Sequence, residues 1–186
     1  MAYIFETERL IVRTYTENDR ESFFLLNSNP DVVRFIRPVK TREECDLFLL
    51  GVIAAANETP LYGRWAVYEK ATDSFAGSFA VIPVDHSDTM QLGYALLPPY
   101  WSKGYATELT KAGLQYVFGK TPLDIIFGYT EKPNIASQKV LLKSGFHYSC
   151  EKLEAGKEIV EFALTKEQYH QTALHHPEAM AIKSNL

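Results

Sequence analysis

Ser102-Lys103-Gly104 lies where an apolar run from Met90 to Leu97 has been cut by Pro98-Pro99 and a helical periodicity begins. The start of a helix leaves backbone N–H groups without partners, and these point the same way as the helix dipole. Residue types and spacing here therefore suit a phosphate or pyrophosphate. Gly104 lets a ligand approach the backbone closely, although taken alone it is equally an ordinary turn glycine before a helix. No Ser-His-Asp order and no metal-ligand spacing appears, so hydrolase and metal-centred chemistry fall away. His147, His170, His175 and His176 read as surface or packing residues.

The bulk properties narrow the partners. The 186 residues carry a net charge of −4 with no Lys/Arg block, which leaves no electrostatic footprint for a nucleic acid. A hydrophobic fraction of 46% with 13% aromatic residues argues for a packed core rather than disorder. No run approaches the roughly 18 apolar residues of a membrane span. The first residues, MAYIFETERL, lack the basic and apolar stretches of a signal peptide, so a cytoplasmic protein is expected. Cys45 and Cys150 are far apart and are expected to be buried thiols in a reducing compartment. One domain over residues 1–174 with a frayed tail at 175–186 is the simplest organisation, as a monomer or homodimer.

The elements that position the anion site follow from pattern. Residues 9–14 read as a short strand. Thr16 caps a helix to about Asn27, a second short helix covers Asp31 to Ile36, and Thr41-Arg42-Glu43-Glu44 is a capping box opening a helix to about Asn57. From Tyr62 the period becomes two. Strands at 64–68, 75–84 and 90–97 form an antiparallel meander. A helix from the anion site to Gly119 is followed by DIIFGYT at 124–130, nearly continuous in apolar residues, as expected for a strand covered on both faces. Strand, helix, strand is a crossover, so 90–97 and 124–130 should be parallel, and ligand crevices form at such a change of sheet character. Pro133-Asn134 starts a helix ending at Gly145. A hairpin spans 146–153 and 157–164, and Thr165 to Gln168 is a second capping box opening a terminal helix.

Three stretches together resemble the Gcn5-related N-acetyltransferases, and within them the RimJ/RimL type that acetylates ribosomal-protein N-termini. They are Thr7-Glu8-Arg9-Leu10-Ile11-Val12-Arg13, then Gly93-Tyr94 through Tyr100-Trp101-Ser102-Lys103-Gly104-Tyr105-Ala106-Thr107-Glu108, and finally Asn134-Ile135-Ala136-Ser137 leading to Lys143-Ser144-Gly145-Phe146. The resemblance covers about residues 6–170. It implies an α/β (α+β) acyl-CoA N-acyltransferase fold whose mixed sheet of about six to seven strands combines an antiparallel meander with a splayed parallel pair, flanked by helices.

The same resemblance implies direct acetyl transfer from acetyl-coenzyme A to a primary amine, with a protein N-terminus as acceptor, or else a polyamine, amino acid or aminoglycoside. A binding module without turnover is a further alternative. The family's pyrophosphate signature falls on 101–106, with Trp101 in the position of a basic or amide residue. Pyrophosphate would rest on the amides of Ser102, Lys103, Gly104, Tyr105, Ala106 and Thr107, helped by the Lys103 side chain. Trp101 either touches the cofactor or anchors the loop. Backbone groups near Leu96 and Leu97 would be free for the pantetheine amides. Asn134 would bond the pantetheine arm, and Ser137 would lie near the sulfur and protonate the leaving thiolate. Many relatives carry Glu near the start of the central strand, where this chain has Gln91. An amide accepts no proton as a base, so Gln91 can at most orient the amine or a water. Glu131, Asp88 and His86 remain as substitutes.

Overall fold

The computed structural model describes residues 2–84 and 87–175, with side chains through Thr172. His86 and the tail residues 176–186 lie outside the described residues. The first residues after Met1 form a strand that pattern alone does not reveal, β1 (Tyr3–Glu6), a four-residue edge too short to show a period. It turns through Thr7 into β2 (Leu10–Thr14). The sheet thus has eight strands rather than six or seven.

Thr16 leads into a 3-10 turn (Glu17–Asp19), then α1 (Arg20–Ser28). The short second helix, α2, is Pro30–Val33. It starts earlier than expected because the Asn29 side chain caps it by accepting the Asp31 and Val32 N–H groups, and it passes into a turn after Val33, whose carbonyl accepts the Ile36 and Arg37 N–H groups. The capping box holds in α3 (Arg42–Glu58), where Thr41 Oγ1 accepts the Glu44 N–H and Glu44 accepts the Thr41 N–H.

The meander is β3 (Gly63–Glu69), β4 (Ser74–Pro83) and β5 (Met90–Leu96). After a 3-10 turn at Pro98–Tyr100 come α4 (Tyr105–Lys120), β6 (Ile125–Glu131), α5 (Ile135–Lys143), β7 (His147–Glu154), β8 (Lys157–Thr165) and α6 (Lys166–His175). The second capping box also holds: Thr165 Oγ1 accepts the Gln168 N–H and Gln168 accepts the Thr165 N–H.

Strand order is β1-β2-β3-β4-β5-β6-β8-β7. All pairs are antiparallel except β5 with β6, the crossover pair. One face packs on α4, with Trp65 and Phe79 stacked 6.0 Å apart at its centre. Helix α4 lies flush there because Gly113 has no side chain; a Cβ would sit 2.2 Å from the Phe79 ring. The other face carries α1, α2 and α3 over Tyr15, Phe23, Leu49 and Phe75. Two expectations fail on burial. Strand β6 is not covered evenly on both faces: Ile126, Gly128 and Thr130 are buried, while Phe127, Tyr129 and Glu131 are only partly so. Cys45 is buried but Cys150 is exposed, because it sits on the outermost strand, β7. No helix among the described residues is long and apolar enough to cross a membrane.

Candidate active site

The loop before α4 is shaped by two left-handed residues, Ser102 (φ 59) and Gly104 (φ 80), with Trp101 to Gly104 all exposed. Among the described residues, the N–H groups of Ser102, Lys103, Gly104, Tyr105, Ala106 and Thr107 have no hydrogen-bond partner in the chain. The first helical bond is Glu108 N–H to the Gly104 carbonyl, at 3.0 Å. Six successive free donors at a helix start form a site for an oxyanion.

What holds this loop was not evident from sequence. Arg9 donates through Nη1 to the Lys103 carbonyl at 3.0 Å and lies 4.1 Å over the Tyr105 ring. Its Nε donates to Glu108 at 2.6 Å. Thr7 Oγ1 donates to Glu108 and accepts the N–H groups of Arg9 and Leu10. Burial raises the Glu108 carboxyl, and the bonds from Thr7 and Arg9 more than reverse it, so the group sits below its ordinary value and stays ionised. Tyr105, in turn, donates its hydroxyl to Glu69. The Thr7-Glu8-Arg9-Leu10 stretch is therefore the clamp of the anion loop.

Strands β5 and β6 register only at Gln91 and Phe127, then part. Leu97 N–H is committed to the Ala76 carbonyl at 2.9 Å, so by the alternation of an antiparallel ladder Tyr94 and Leu96 turn their backbone groups to the parting strand. The Leu96 carbonyl already accepts the Trp101 indole N–H at 2.6 Å. This corrects the expectation for Leu96 and Leu97: Leu97 N–H is not free, and the open groups belong to Tyr94 and to the Leu96 N–H. Trp101 is 43% exposed yet tied to the end of β5, so its indole fixes the loop while leaving ring surface to solvent.

On the α4 side of this gap, the Tyr94 hydroxyl donates to Ser137 Oγ at 3.4 Å. Burial pushes the Tyr94 phenol up, which keeps it protonated. Asn134 caps α5, its Oδ1 accepting the Ser137 N–H at 3.2 Å, so its oxygen is engaged locally and Ser137 is fixed from two directions. In the sequence Tyr94 has no role beyond its place in the Gly93-Tyr94 stretch; period-two alternation from Leu92 puts it on the α4 and α5 side.

The opposite face carries Gln91, Gly93 and Ala95. Paired residues share a face, which brings Phe127 beside Gln91, and Ala80 and Arg64 beside Gly93. A Cβ on Gly93 would meet nothing within 4 Å, so this face opens there into space. Glu131 also lies on it, but its carboxylate is paired with Lys157. Farther back, Arg64, Arg37 and Lys40 surround one ring, at 5.6, 5.5 and 5.6 Å from the Phe48 centroid. Asp88 is exposed on the turn before β5.

A sheet parted at one parallel pair, an amide-lined loop at the helix beyond it and an open cleft on the other face define an acyl-transfer fold. The family model for the acetyltransferase (GNAT) domain matches residues 9–147, and the chain belongs to that family. It is an acetyl-coenzyme A-dependent N-acetyltransferase. Similar proteins include the uncharacterized N-acetyltransferase YoaA of Bacillus subtilis (strain 168), 29% identical over 147 residues, covering 77% of this chain and 82% of that protein. Two solved structures share the fold. One is the spermidine N-acetyltransferase of Vibrio cholerae in complex with CoA and spermine, at TM-score 0.73 and 17% identity, covering 87% of this chain and 98% of that one. The other is RimL, the ribosomal L7/L12 alpha-N-protein acetyltransferase in complex with coenzyme A, at TM-score 0.74 and 16% identity, covering 88% and 94%.

Proposed function

We propose that this enzyme acetylates an α-amino group, as a protein N-terminal acetyltransferase of the RimJ/RimL type. The observation that carries the reading is the acceptor face around Gln91, where among the described residues the strands offer no unpaired carboxylate: the position itself is an amide, Glu131 is held by Lys157, and Asp88 stands out on the exposed turn. A site without a base favours an amine that loses its proton on its own. With reference pKa values of about 8 for an α-amine and about 10.4 for a lysine-type amine, the neutral fraction at pH 7 differs by a few hundredfold. A polyamine would need a base here; an α-amine does not.

The residues fit the donor substrate. The N–H groups of residues 102–107 would hold the pyrophosphate, with Lys103 beside them, and Arg9 keeps Glu108 from repelling it. The Leu96 N–H and the backbone groups of Tyr94 would meet the pantetheine amides. Asn134 acts through α5, aiming Ser137. Bound acetyl-coenzyme A supplies an activated thioester. Gln91 would orient the incoming amine, and Ser137, held by Tyr94, would donate its proton toward the departing sulfur and recover one from solvent.

The test is release of free thiol on incubating the protein with acetyl-coenzyme A and a panel of N-terminal peptides, lysine side-chain mimics and polyamines. Turnover should be confined to α-amines and rise with pH through the acceptor's own pKa. Faster turnover of spermidine than of any peptide would overturn the acceptor assignment, and coenzyme A binding with no thiol release from any amine would overturn catalysis.

A further inference from the structure

The cations of the acceptor cleft lack the carboxylate partners that Arg9, Arg13, Arg20 and Arg42 have. Among the described residues, Arg37 and Arg64 form no ion pair and no side-chain hydrogen bond. Both are half-buried, one on the segment after α2 and one at the start of β3, and both lie over Phe48 with Lys40 on the same ring. Burial and the neighbouring Arg37 push the Arg64 guanidinium down to about 10, and burial lowers Arg37 as well. A ring quadrupole contributes about 0.5–1 kcal/mol per cation, too little to offset two desolvated, mutually repelling guanidinium groups.

A second observation lies beside them. The Tyr15 hydroxyl is buried without a hydrogen bond of good geometry: burial pushes it up, the nearby Ser78 hydroxyl offsets part of this, and Asp19 and Arg64 act on it in opposite directions. A buried hydroxyl without a well-formed bond costs about 1–3 kcal/mol, so this group too gains from a ligand oxygen. Arg64 and the open space at Gly93 share one face of the sheet, in one row through Ala80, two strand spacings or about 10 Å apart. Between them Ala80 carries only a methyl group, itself covered at 3% exposure.

From this we infer that Arg37, Arg64 and the Tyr15 hydroxyl form a carboxylate-binding pocket at the back of the acceptor cleft, so that the amine this enzyme acetylates also bears a carboxylate. The inference rests on the acetyl-transfer reading above and narrows its acceptor. The carboxylate comes either from an acidic side chain near a peptide N-terminus or from the α-carboxylate of a free amino acid. The bidentate fork of arginine suits both. A polyamine is excluded by the same charges.

The experiment compares two matched pairs by thiol release: an N-terminal peptide amide containing Asp against its Asn counterpart, and alanine against alaninamide, with spermidine as the cationic control. With kcat/KM expressed per neutral amine, the wild-type enzyme should prefer the carboxylate member of one pair by about tenfold or more, as expected for a charge-assisted bond, and the pair that shows it identifies the source. Within Arg64→Gln and within Arg37→Gln the same ratio should fall toward one. Equal rates within both pairs, a preference for spermidine, or a carboxylate preference surviving in both variants would overturn the pocket. Thermal stabilisation by N-acetylaspartate, which has two carboxylates and no amine, reads the pocket without turnover. It should appear in the wild type and vanish in Arg64→Gln. Should no amine be acetylated, stabilisation lost in the variant keeps the pocket while the acetyl-transfer reading falls, and absence of stabilisation removes the pocket.

Discussion

Arg13 and Arg64 stand on the same face of the sheet with Tyr15 between them, and they are treated in opposite ways. Arg13 meets Asp19 in a two-pronged pair at 2.9 and 2.7 Å. The same carboxylate accepts the Tyr68 hydroxyl at 2.5 Å and the Thr16 N–H at 2.7 Å, so a residue only 1% exposed has its oxygens filled. Arg64 has no such partner among the described residues. Where an arginine serves the fold, the chain supplies its counter-charge; where none is supplied, the counter-charge is expected from a ligand. The difference separates a structural corner from a recognition corner within one cleft.

Breaking the closed corner should have the largest effect. Asp19→Ala leaves Arg13 half-buried and unpaired, which costs about 3–5 kcal/mol and lowers the melting temperature by roughly 10 °C or more. The pH dependence has a defined sign. Burial raises the Asp19 carboxyl, but the bonds from Arg13, Tyr68 and Thr16 outweigh it and the folded pKa is lowered. A depressed carboxylate stabilises fully above its unfolded pKa of about 3.9 and loses that contribution as pH falls through the lower folded value. Asp19→Asn should accordingly flatten the acid limb of the stability profile, measured by thermal denaturation between pH 5 and pH 2.

Arg9 is a closed arginine at the other end of β2, beside the anion loop. Arg9→Ala would release the Lys103 carbonyl and leave the Glu108 carboxylate uncompensated next to the donors of residues 102–107. The dissociation constant of coenzyme A should rise about tenfold, roughly 1.4 kcal/mol, by titration calorimetry. Gly104→Glu adds a carboxylate at a left-handed residue in the same loop and should abolish that binding. An unchanged affinity in both variants would place the pyrophosphate elsewhere.

The open corner should respond with the opposite sign. Arg64→Met keeps an unbranched apolar stem and removes an uncompensated charge, so the protein should be as stable as the wild type or about 1 kcal/mol more stable, while its preference among acceptors is lost. A loss of more than about 1 kcal/mol in denaturant melts would mean that Arg64 has a structural partner after all and would erase the contrast with Arg13.

These two corners also mark how far the sequence could be read. The meander, the crossover and the capping boxes are carried by local periodicity and by cap chemistry, so their positions could be assigned to within a few residues. The anion loop is equally local, because its donors are successive backbone groups whose positions depend on Gly104 and a helix start. Arg9, Glu108 and Lys103 are a different case: the Thr7-Glu8-Arg9-Leu10 stretch stands out in the sequence, yet its task depends on the β1–β2 turn reaching the start of α4 across about a hundred positions. The cationic cleft is more distant still. Arg37, Phe48 and Arg64 come from a loop, a helix and a strand, and no spacing links them. Strand β1 carries no sequence signal because four residues show no period, and Cys150 departs from its expected burial because hydrophobic character says nothing of which strand is outermost.

The smallest effect belongs to the thiol end, where no arginine acts and the fixed group is neutral. Ser137 is held by a cap bond through its N–H and by the Tyr94 hydroxyl at 3.4 Å, a long bond worth less than about 1 kcal/mol. Tyr94→Phe removes that bond without opening a cavity, so stability and coenzyme A affinity should hold. If Ser137 protonates the departing sulfur, freeing its rotor lowers only the step in which the thiolate forms. The expected result is a fall of about threefold in kcat with KM unchanged, against a larger fall in Ser137→Ala. An equal fall in both variants would make Tyr94 itself the proton donor. No fall in either would move leaving-group protonation to solvent and leave the backbone donors of residues 102–107, with Arg9 holding their loop, as the parts of the donor site on which turnover depends.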